Sequence, residues 1–460
     1  MDVLLVRPSY RLLFGRFHLP RYFPLGLGYI GAYLDNHGFT SQILDLNLYH
    51  EMHPRRDIAF LKQILLHEHP KIVGISSTSY NYPEAVEVAR TVKEVDRKII
   101  TVYGGVHATF NSHRILREVK DIDVIGLYEG EEAMLELTQR VMQGATAFVR
   151  GMAYREGDQV VLAPPRERIT DLDRLPYPGR GLTVIPFEKY FEVNGVKNVA
   201  LETMRGCPYE CIFCSTKALH GQQVRYRSPT KVVDEMQQVI DRYDVDIISF
   251  CDDTFTLNKD RVLQICEEIR KQQVNIQWTC STRVDRVDPE VLQRMRDAGC
   301  VYIFYGIETV TPQVLHAIKK GFTPQVVERA IQWTAGSGIN YELSFIVGLP
   351  GETQASFTAM LQFAARVKSM AVHPDLLHSL SGTTLAEHCE GCAFYSSDAF
   401  PGINPILRTQ HLSTHQIVTN MVEFYKRCHH VWKQVLPPRI EYTSSTTRGL
   451  KTASSQRADE

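Results

Sequence analysis

Over the first 145 or so residues, short β-branched runs alternate with stretches in which apolar residues recur every three to four positions. A strand between two helical layers is apolar throughout, whereas a surface helix is apolar on one stripe, so the alternation reads as successive βαβ units. The pattern predicts strands over 3–6, 42–46, 72–76, 99–103 and 124–127, with helices over 25–36, 58–67, 83–95, 112–119 and 131–142. Strands separated by helices in this way predict an α/β domain over 1–145 with a doubly wound, flavodoxin-like parallel sheet. Such sheets bind ligands beyond the carboxyl ends of their strands. The loops carrying Arg7, Ser76 to Thr78, Gly104 to Thr109 and Glu129 to Glu132 are therefore the ones to inspect.

From 146 to 195, Pro164, Pro165, Pro176, Pro178 and Pro186 interrupt any regular period, and the stretch reads as a connector with a small hairpin around 152–162. A second alternation covers 196–395, with strands expected over 198–202, 247–251, 276–280, 302–305, 342–347 and 376–380. Six β/α units predict a partial β/α barrel of the TIM type, whose chemistry sits at the carboxyl ends of the strands. A C-terminal helical segment follows over 396–440. Within it Ile417, Met421, Phe424, Cys428, Val431 and Val435 recur at helical spacing, as a packing face does. The Ser- and Thr-rich residues 441–460 read as a disordered tail.

Composition narrows the partners. Across 460 residues, 51 Lys and Arg balance 52 Asp and Glu, a net charge of -1 that offers no basic footprint, so no nucleic-acid partner is expected. The chain opens without the basic start and long apolar core of a secretory signal, and no apolar run reaches the length of a membrane span. The expectation is a cytoplasmic protein. Ten cysteines are too few for a disulfide scaffold of this length, yet Cys207, Cys211 and Cys214 fall within eight positions.

The stretch Cys207-Pro-Tyr-Glu-Cys211-Ile-Phe-Cys214 follows a predicted strand. Thiolates are soft ligands, suited to zinc or to iron and sulfide. A zinc site would want a fourth ligand, the nearest candidate being His220. A [4Fe-4S] cubane held by three thiolates keeps one iron open to a further ligand. Cys207-x3-Cys211-x2-Cys214, with Phe213 before the last cysteine, resembles the signature of the radical S-adenosylmethionine (SAM) superfamily. The ends of the following strands agree with it: Asp252-Asp253, Arg283, Glu308 and Gly348-Leu349-Pro350. The resemblance implies that SAM chelates the open iron. Asp252 or Asp253 would accept from its amine and Arg283 would offer a fork to its carboxylate. Glu308 would accept from the ribose hydroxyls, and the backbone of Gly348, Leu349 and Pro350 would approach the adenine.

The amino-terminal domain resembles the cobalamin-binding domain that precedes many radical SAM barrels. The matching stretches are Val73-Gly-Ile-Ser76-Ser-Thr78, Tyr103-Gly104-Gly105-Val-His107-Ala-Thr109 and Tyr128-Glu-Gly130-Glu131. The resemblance implies that Ser76, Thr78, Gly104, Gly105, His107, Thr109, Gly130 and Glu131 surround cobalamin. The cobalt-ligating Asp-x-His-x-x-Gly pattern is absent, since the loop after Val6 reads Arg7-Pro-Ser-Tyr-Arg-Leu-Leu-Phe-Gly15. Tyr10, Arg11 and Phe14 stand there instead of a histidine ligand. Elsewhere, Cys389 and Cys392 read as packing cysteines at element ends rather than a second cluster, and Cys251, Cys266, Cys280 and Cys300 as core.

Taken together, the resemblance implies a cobalamin-dependent radical SAM enzyme with a [4Fe-4S] cluster, SAM and cobalamin. In the methyltransferase form, the cluster cleaves SAM to a deoxyadenosyl radical, the radical removes a substrate hydrogen, and methylcobalamin methylates the unreactive centre. The alternative keeps the cofactors for a cyclisation or oxidation without net methyl transfer. Expected partners are a small-molecule, lipid or peptide substrate and an electron donor such as flavodoxin or ferredoxin. An RNA methylthiotransferase is disfavoured, because its amino-terminal domain needs further cluster cysteines and residues 1–196 contain none.

Overall fold

Val3–Arg7 (β1), Ser41–Asp45 (β2), Ile72–Ser76 (β3), Ile100–Gly104 (β4) and Val124–Gly126 (β5) are apolar runs buried on both faces, as strands between two helical layers must be. The computed structural model describes residues 1–10, 21–145, 149–367, 369–389, 391–394 and 403–435. Its first sheet pairs these strands in parallel in the order β2-β1-β3-β4-β5, the flavodoxin-like order expected, with its switch point between β1 and β3. The hairpin Met152–Glu156 (β6) and Gln159–Leu162 (β7) forms, and it lies antiparallel on β5. The first part of the connector thus extends the first sheet rather than standing between domains.

Two helical details differ from the expectation. The helix expected over 112–119 begins earlier, as Val106–Glu118, and carries a non-helical residue at Asn111. A short helix, Leu46–Met52, follows β2 without a loop. Asp45 caps it by accepting from the amides of Asn47 and Leu48, so one aspartate ends the strand and starts the helix.

The second sheet is a six-stranded parallel array in the order Asn198–Leu201 (β8), Ile247–Phe250 (β11), Gln277–Thr282 (β12), Cys300–Glu308 (β13), Asn340–Val347 (β14) and Ala371–Leu376 (β15). Between β8 and β11, Met204–Arg205 (β9) and Arg225–Tyr226 (β10) form a short antiparallel ladder whose connection carries the three clustered cysteines. The sixth strand is a correction, since it spans 371–376 and not 376–380. It runs through Pro374, which has no amide to donate and is tolerated because β15 is the outermost strand. His378–Leu380 (β16) joins a separate sheet with Ala393–Phe394 (β17) and Ile403–Arg408 (β18).

The helix Thr414–Val435 covers the β14–β15 edge. Phe424 packs on Phe345 at 5.6 Å, and the Tyr425 hydroxyl donates to the Pro374 carbonyl at 3.2 Å. Arg11, Phe14 and the tail over 441–460 lie outside the described residues, as do the side chains of Cys428, Val431 and Val435. Cys266, Cys280 and Cys300 are buried as expected, whereas Cys251 is exposed and Cys389 and Cys392 are joined in a disulfide.

Candidate active site

The cysteine loop leaves β9 through Gly206, which has φ +102° and where a Cβ would stand 2.5 Å from the Gln223 carbonyl oxygen. Only glycine fits that close approach. Beyond it, Cys207 and Cys211 are half-buried and Cys214 is exposed, all as free thiols. The loop is pinned at its ends: the Cys207 amide donates to Gly221 O at 3.1 Å, that of Ile212 to Ile318 O at 3.3 Å, and that of Leu385 to Ile212 O at 2.9 Å. Burial pushes the Cys207 thiol up to about 11, so it ionises when a cation takes the place of its proton. Among the described residues, no three Cys, His, Asp or Glu side chains converge on a single point as a mononuclear site requires. Separate sulfurs on one loop suit a cubane, which takes one thiolate per iron.

The strand-end residues divide into those that face this loop and those that do not. Asp252 does not. It is fully buried, accepting from the amides of Thr203 at 2.7 Å and Met204 at 3.1 Å and from the Thr203 hydroxyl, so its carboxylate fixes the turn from β8 into β9. Asp253 does face the loop, accepting from Thr216 Oγ1 at 3.3 Å, and Thr216 in turn accepts from the Cys214 thiol. The Arg283 fork expected for a carboxylate is engaged by Asp285 at 2.9 and 3.1 Å; its guanidinium lies 3.6 Å from the ring of Tyr209 in the cysteine loop, and Nη1 stands 3.9 Å from the Cys211 sulfur.

Glu308 has φ +70° and accepts from Lys320 Nζ at 2.7 Å. It folds over Gly306, where a Cβ would stand 2.8 Å from its Oε1. At Gly348 and Leu349 the amides donate to Glu352 at 3.2 and 3.3 Å, so they are not left for an adenine, and Leu349 is buried. Pro350 is half-buried at the same turn. Burial pushes the Glu352 carboxyl up to about 8. The sequence places Glu352 in the same strand-end run, Gly348-Leu-Pro-Gly-Glu352, and gives it no role, although a glutamate four residues beyond a turn glycine is placed to cap that turn.

At the carboxyl edge of the first sheet, a Cβ on Gly104 would meet nothing within 4 Å, which leaves room at the end of β4. Gly105 serves the backbone instead, with φ +98° and a Cβ position 2.5 Å from Ser77 O. Half-buried Ser76 lies beside it, and the Tyr10 hydroxyl reaches Thr78 Oγ1 at 3.4 Å. His107 is buried, with Nδ1 bonded to Ser79 Oγ at 2.8 Å and its ring 4.6 Å from that of Tyr82. Its Nε2 is buried without a partner, and desolvation lowers it to about 4, so it stays neutral. The space beyond Gly104 and the unpartnered His107 nitrogen fit a bulky ligand with polar groups. Thr109, Gly130 and Glu131 do other work than the ligand contact expected of them. Thr109 holds its loop through Gly105 O and the Tyr128 amide, Gly130 packs under Ile30, and Glu131 pairs with Arg205.

Residues 201–364 match the family model of the Radical SAM superfamily, and residues 20–138 match that of the B12 binding domain. An uncharacterized methyltransferase of Pyrococcus horikoshii is 31% identical over 400 residues, which span 86% of this chain and 85% of that protein. The chain belongs to the radical SAM superfamily, with a B12-binding domain ahead of the barrel. Cytidylyl-2-hydroxyethylphosphonate methyltransferase of Streptomyces wedmorensis is 30% identical over 439 residues, covering 84% of this chain and 81% of its own. The anaerobic magnesium-protoporphyrin IX monomethyl ester cyclase of Rubrivivax gelatinosus is 34% identical over 77% of this chain, which spans 63% of the cyclase. The fold is shared with the radical SAM methyltransferase TsrM of Kitasatospora setae, at a TM-score of 0.75 and 18% identity over 100% of this chain and 94% of that one.

As a radical SAM enzyme with a B12-binding domain, the chain takes a [4Fe-4S] cluster, SAM and cobalamin. No helix among the described residues is long and apolar enough to cross a membrane. The bore of the radical SAM barrel is polar. On β13 and β14, Ile303, Tyr305, Leu343 and Phe345 face the outer helices; the Tyr305 and Thr334 hydroxyls share a 2.8 Å hydrogen bond. Alternation turns Tyr302, Phe304, Glu342 and Ser344 inward. On β11 and β12 the inward positions are Ser249, Cys251, Gln277, Thr279 and Ser281, which is why Cys251 is exposed rather than part of the core. Closed barrels fill this space with bulky branched residues. Here hydroxyls, amides and carboxylates stand on the inward face beside Phe304 and Ile346.

Proposed function

We propose that this protein is a cobalamin-dependent radical SAM methyltransferase that acts on a small polar molecule held in the bore of the barrel. The observation that carries the substrate class is a chain of polar side chains running to β15, the outermost strand of the sheet. The Tyr302 hydroxyl donates to Glu342, His373 Nδ1 stands 3.7 Å from Glu342 Oε1, and His373 Nε2 stands 3.7 Å from Asp375 Oδ2. Two carboxylates share one imidazole. That excess of negative charge favours a substrate presenting amine or hydroxyl donors over an apolar lipid, which offers nothing to offset it.

When bound, the cluster and SAM supply the radical that activates a carbon, and the corrinoid supplies the methyl group. The chain's own residues hold these parts apart from bulk water. Tyr80, from the B12-binding domain, sets its ring 6.1 Å from that of His378, the first residue of β16, and a Cβ on Gly382 would strike the Phe110 ring at 2.6 Å. Ser381 donates to Asn111 Oδ1 at 3.2 Å across the same seam. The domain therefore caps the mouth where Asp375 lies. The methyltransferase reading is supported by relatives of that name that match along most of both chains. Cys214, exposed on the loop, gives a flavodoxin- or ferredoxin-like donor its approach to the cluster.

The deciding experiment is anaerobic reconstitution with iron, sulfide, hydroxocobalamin and SAM, followed by mass spectrometry of pools of polar amines and alcohols beside lipid pools. A gain of one methylene on a polar compound is expected, and Asp375→Asn should depress it while sparing SAM cleavage. Methylation confined to lipids would overturn the substrate class. A product that has lost hydrogen without gaining carbon would replace the methyltransferase with the cyclase or oxidase reading.

A further inference from the structure

Arg205 ends β9 and stands two residues ahead of Cys207. Glu129 and Glu131 belong to the other domain, in the loop after β5 and the first turn of the helix Glu131–Met142. Arg205 Nη2 donates to Glu131 Oε1 at 2.7 Å and its Nε to Glu202 Oε1 at 2.6 Å, while Nη1 lies 3.7 Å from Glu129 Oε1. Arg225, its neighbour across the β9–β10 ladder, grips Glu129 at 2.7 and 3.0 Å. Tyr29, from the first helix of the B12-binding domain, lays its ring 5.2 Å from the Arg205 guanidinium. The Arg205 and Glu131 side chains are only 5% and 3% exposed.

A buried ion-pair cluster stabilises a fold little better than apolar packing would, so its distinctive gain is position. A lysine would offer one point charge, whereas the guanidinium fork holds carboxylates from both domains in a fixed plane. Gly206 adds no slack, since Gln223 O closes on it. The chain thus passes from the inter-domain ion pair to the first cluster cysteine in one conformation.

We propose that Arg205 and Glu131 form a latch through which the B12-binding domain sets where the cluster loop stands, fixing the interval between corrinoid and cluster. Arg205 is a positioning residue. The latch goes beyond the methyl-transfer reading, because it serves whichever reaction the site performs.

The test uses full-length protein loaded with cluster and cobalamin and reduced until both are paramagnetic. The reduced cluster speeds the electron-spin relaxation of cob(II)alamin, with a steep dependence on their separation. Glu131→Gln and Arg205→Lys should keep wild-type iron, sulfide and cobalamin content while the relaxation enhancement falls severalfold. Glu132→Gln, which faces Arg166 on the outer side, should leave it at the wild-type value. Unchanged enhancement in both latch variants would overturn the proposal. If those variants fail to fold, hydrogen exchange on cluster-loaded wild type decides: hydroxocobalamin should slow the Gly206 and Cys207 amides severalfold, and unaltered exchange there refutes the latch. Missing methylated product, by contrast, counts against the methyltransferase reading and leaves both readouts intact.

Discussion

The Tyr22 hydroxyl donates to Ser249 Oγ at 3.3 Å, joining the segment ahead of the first helix of the B12-binding domain to the floor of the barrel. Asn198 Nδ2 donates to the same phenol oxygen at 3.3 Å, and Thr279 Oγ1 extends the network to Ser249 at 3.1 Å. Tyr22→Phe removes an acceptor from Asn198 and a donor from Ser249. A loss of about 1–2 kcal/mol in urea unfolding is expected, the size for half-satisfied buried polar groups. An unchanged midpoint would mean that water replaces the phenol.

Cys211→Ala should abolish the iron–sulfur absorbance and the production of deoxyadenosine while leaving cobalamin bound, because the corrinoid residues belong to the other sheet. Absorbance spectra of the reconstituted variant and chromatography of its SAM digest make the check. Retained SAM cleavage would refute the assignment of the three thiols.

Two adjacent glycines should behave differently. Gly105→Ala forces a Cβ against Ser77 O at a positive φ and should destabilise the protein by roughly 1–3 kcal/mol. Gly104→Ala projects its methyl into open space, so stability should hold while cobalamin affinity drops. Thermal melts paired with cobalamin titration separate the two effects.

Glu352 links the fold to pH. Its folded carboxyl titrates at about 8, well above the ordinary value of about 4.3, so between those limits the folded protein holds a proton that the unfolded chain has released. Stability should therefore fall as pH rises through that window, by up to about 1.4 kcal/mol per pH unit from this group. Glu352→Gln mimics the protonated acid and should flatten the slope. Unfolding midpoints measured from about pH 5 to about pH 8 compare the two proteins.

The strands of the first sheet were legible almost to the residue, because a strand buried on both faces is written as an uninterrupted apolar run. β15 was not, since His373 and Asp375 face the bore and Pro374 breaks the run. The cysteine loop was legible because its spacing is local. The neighbours of Asp252, Arg283 and Glu308 were not, although their chemical types were. Whether such a group turns to a ligand or to the protein depends on Thr203, Asp285 and Lys320, and sequence order does not announce those pairings. Glu131 and Arg205 lie 74 residues apart and meet only because two sheets pack together.

Among the described residues the second sheet stops at six strands, and β8 and β15 do not pair with each other. An unclosed cylinder has a flank as well as a rim. Cargo wider than the cylinder's own diameter can therefore be served by admitting just its reactive corner sideways. Diversification within such a scaffold then needs no redesign of strand geometry, only a change in what backs its last strands, which here is the helix Thr414–Val435.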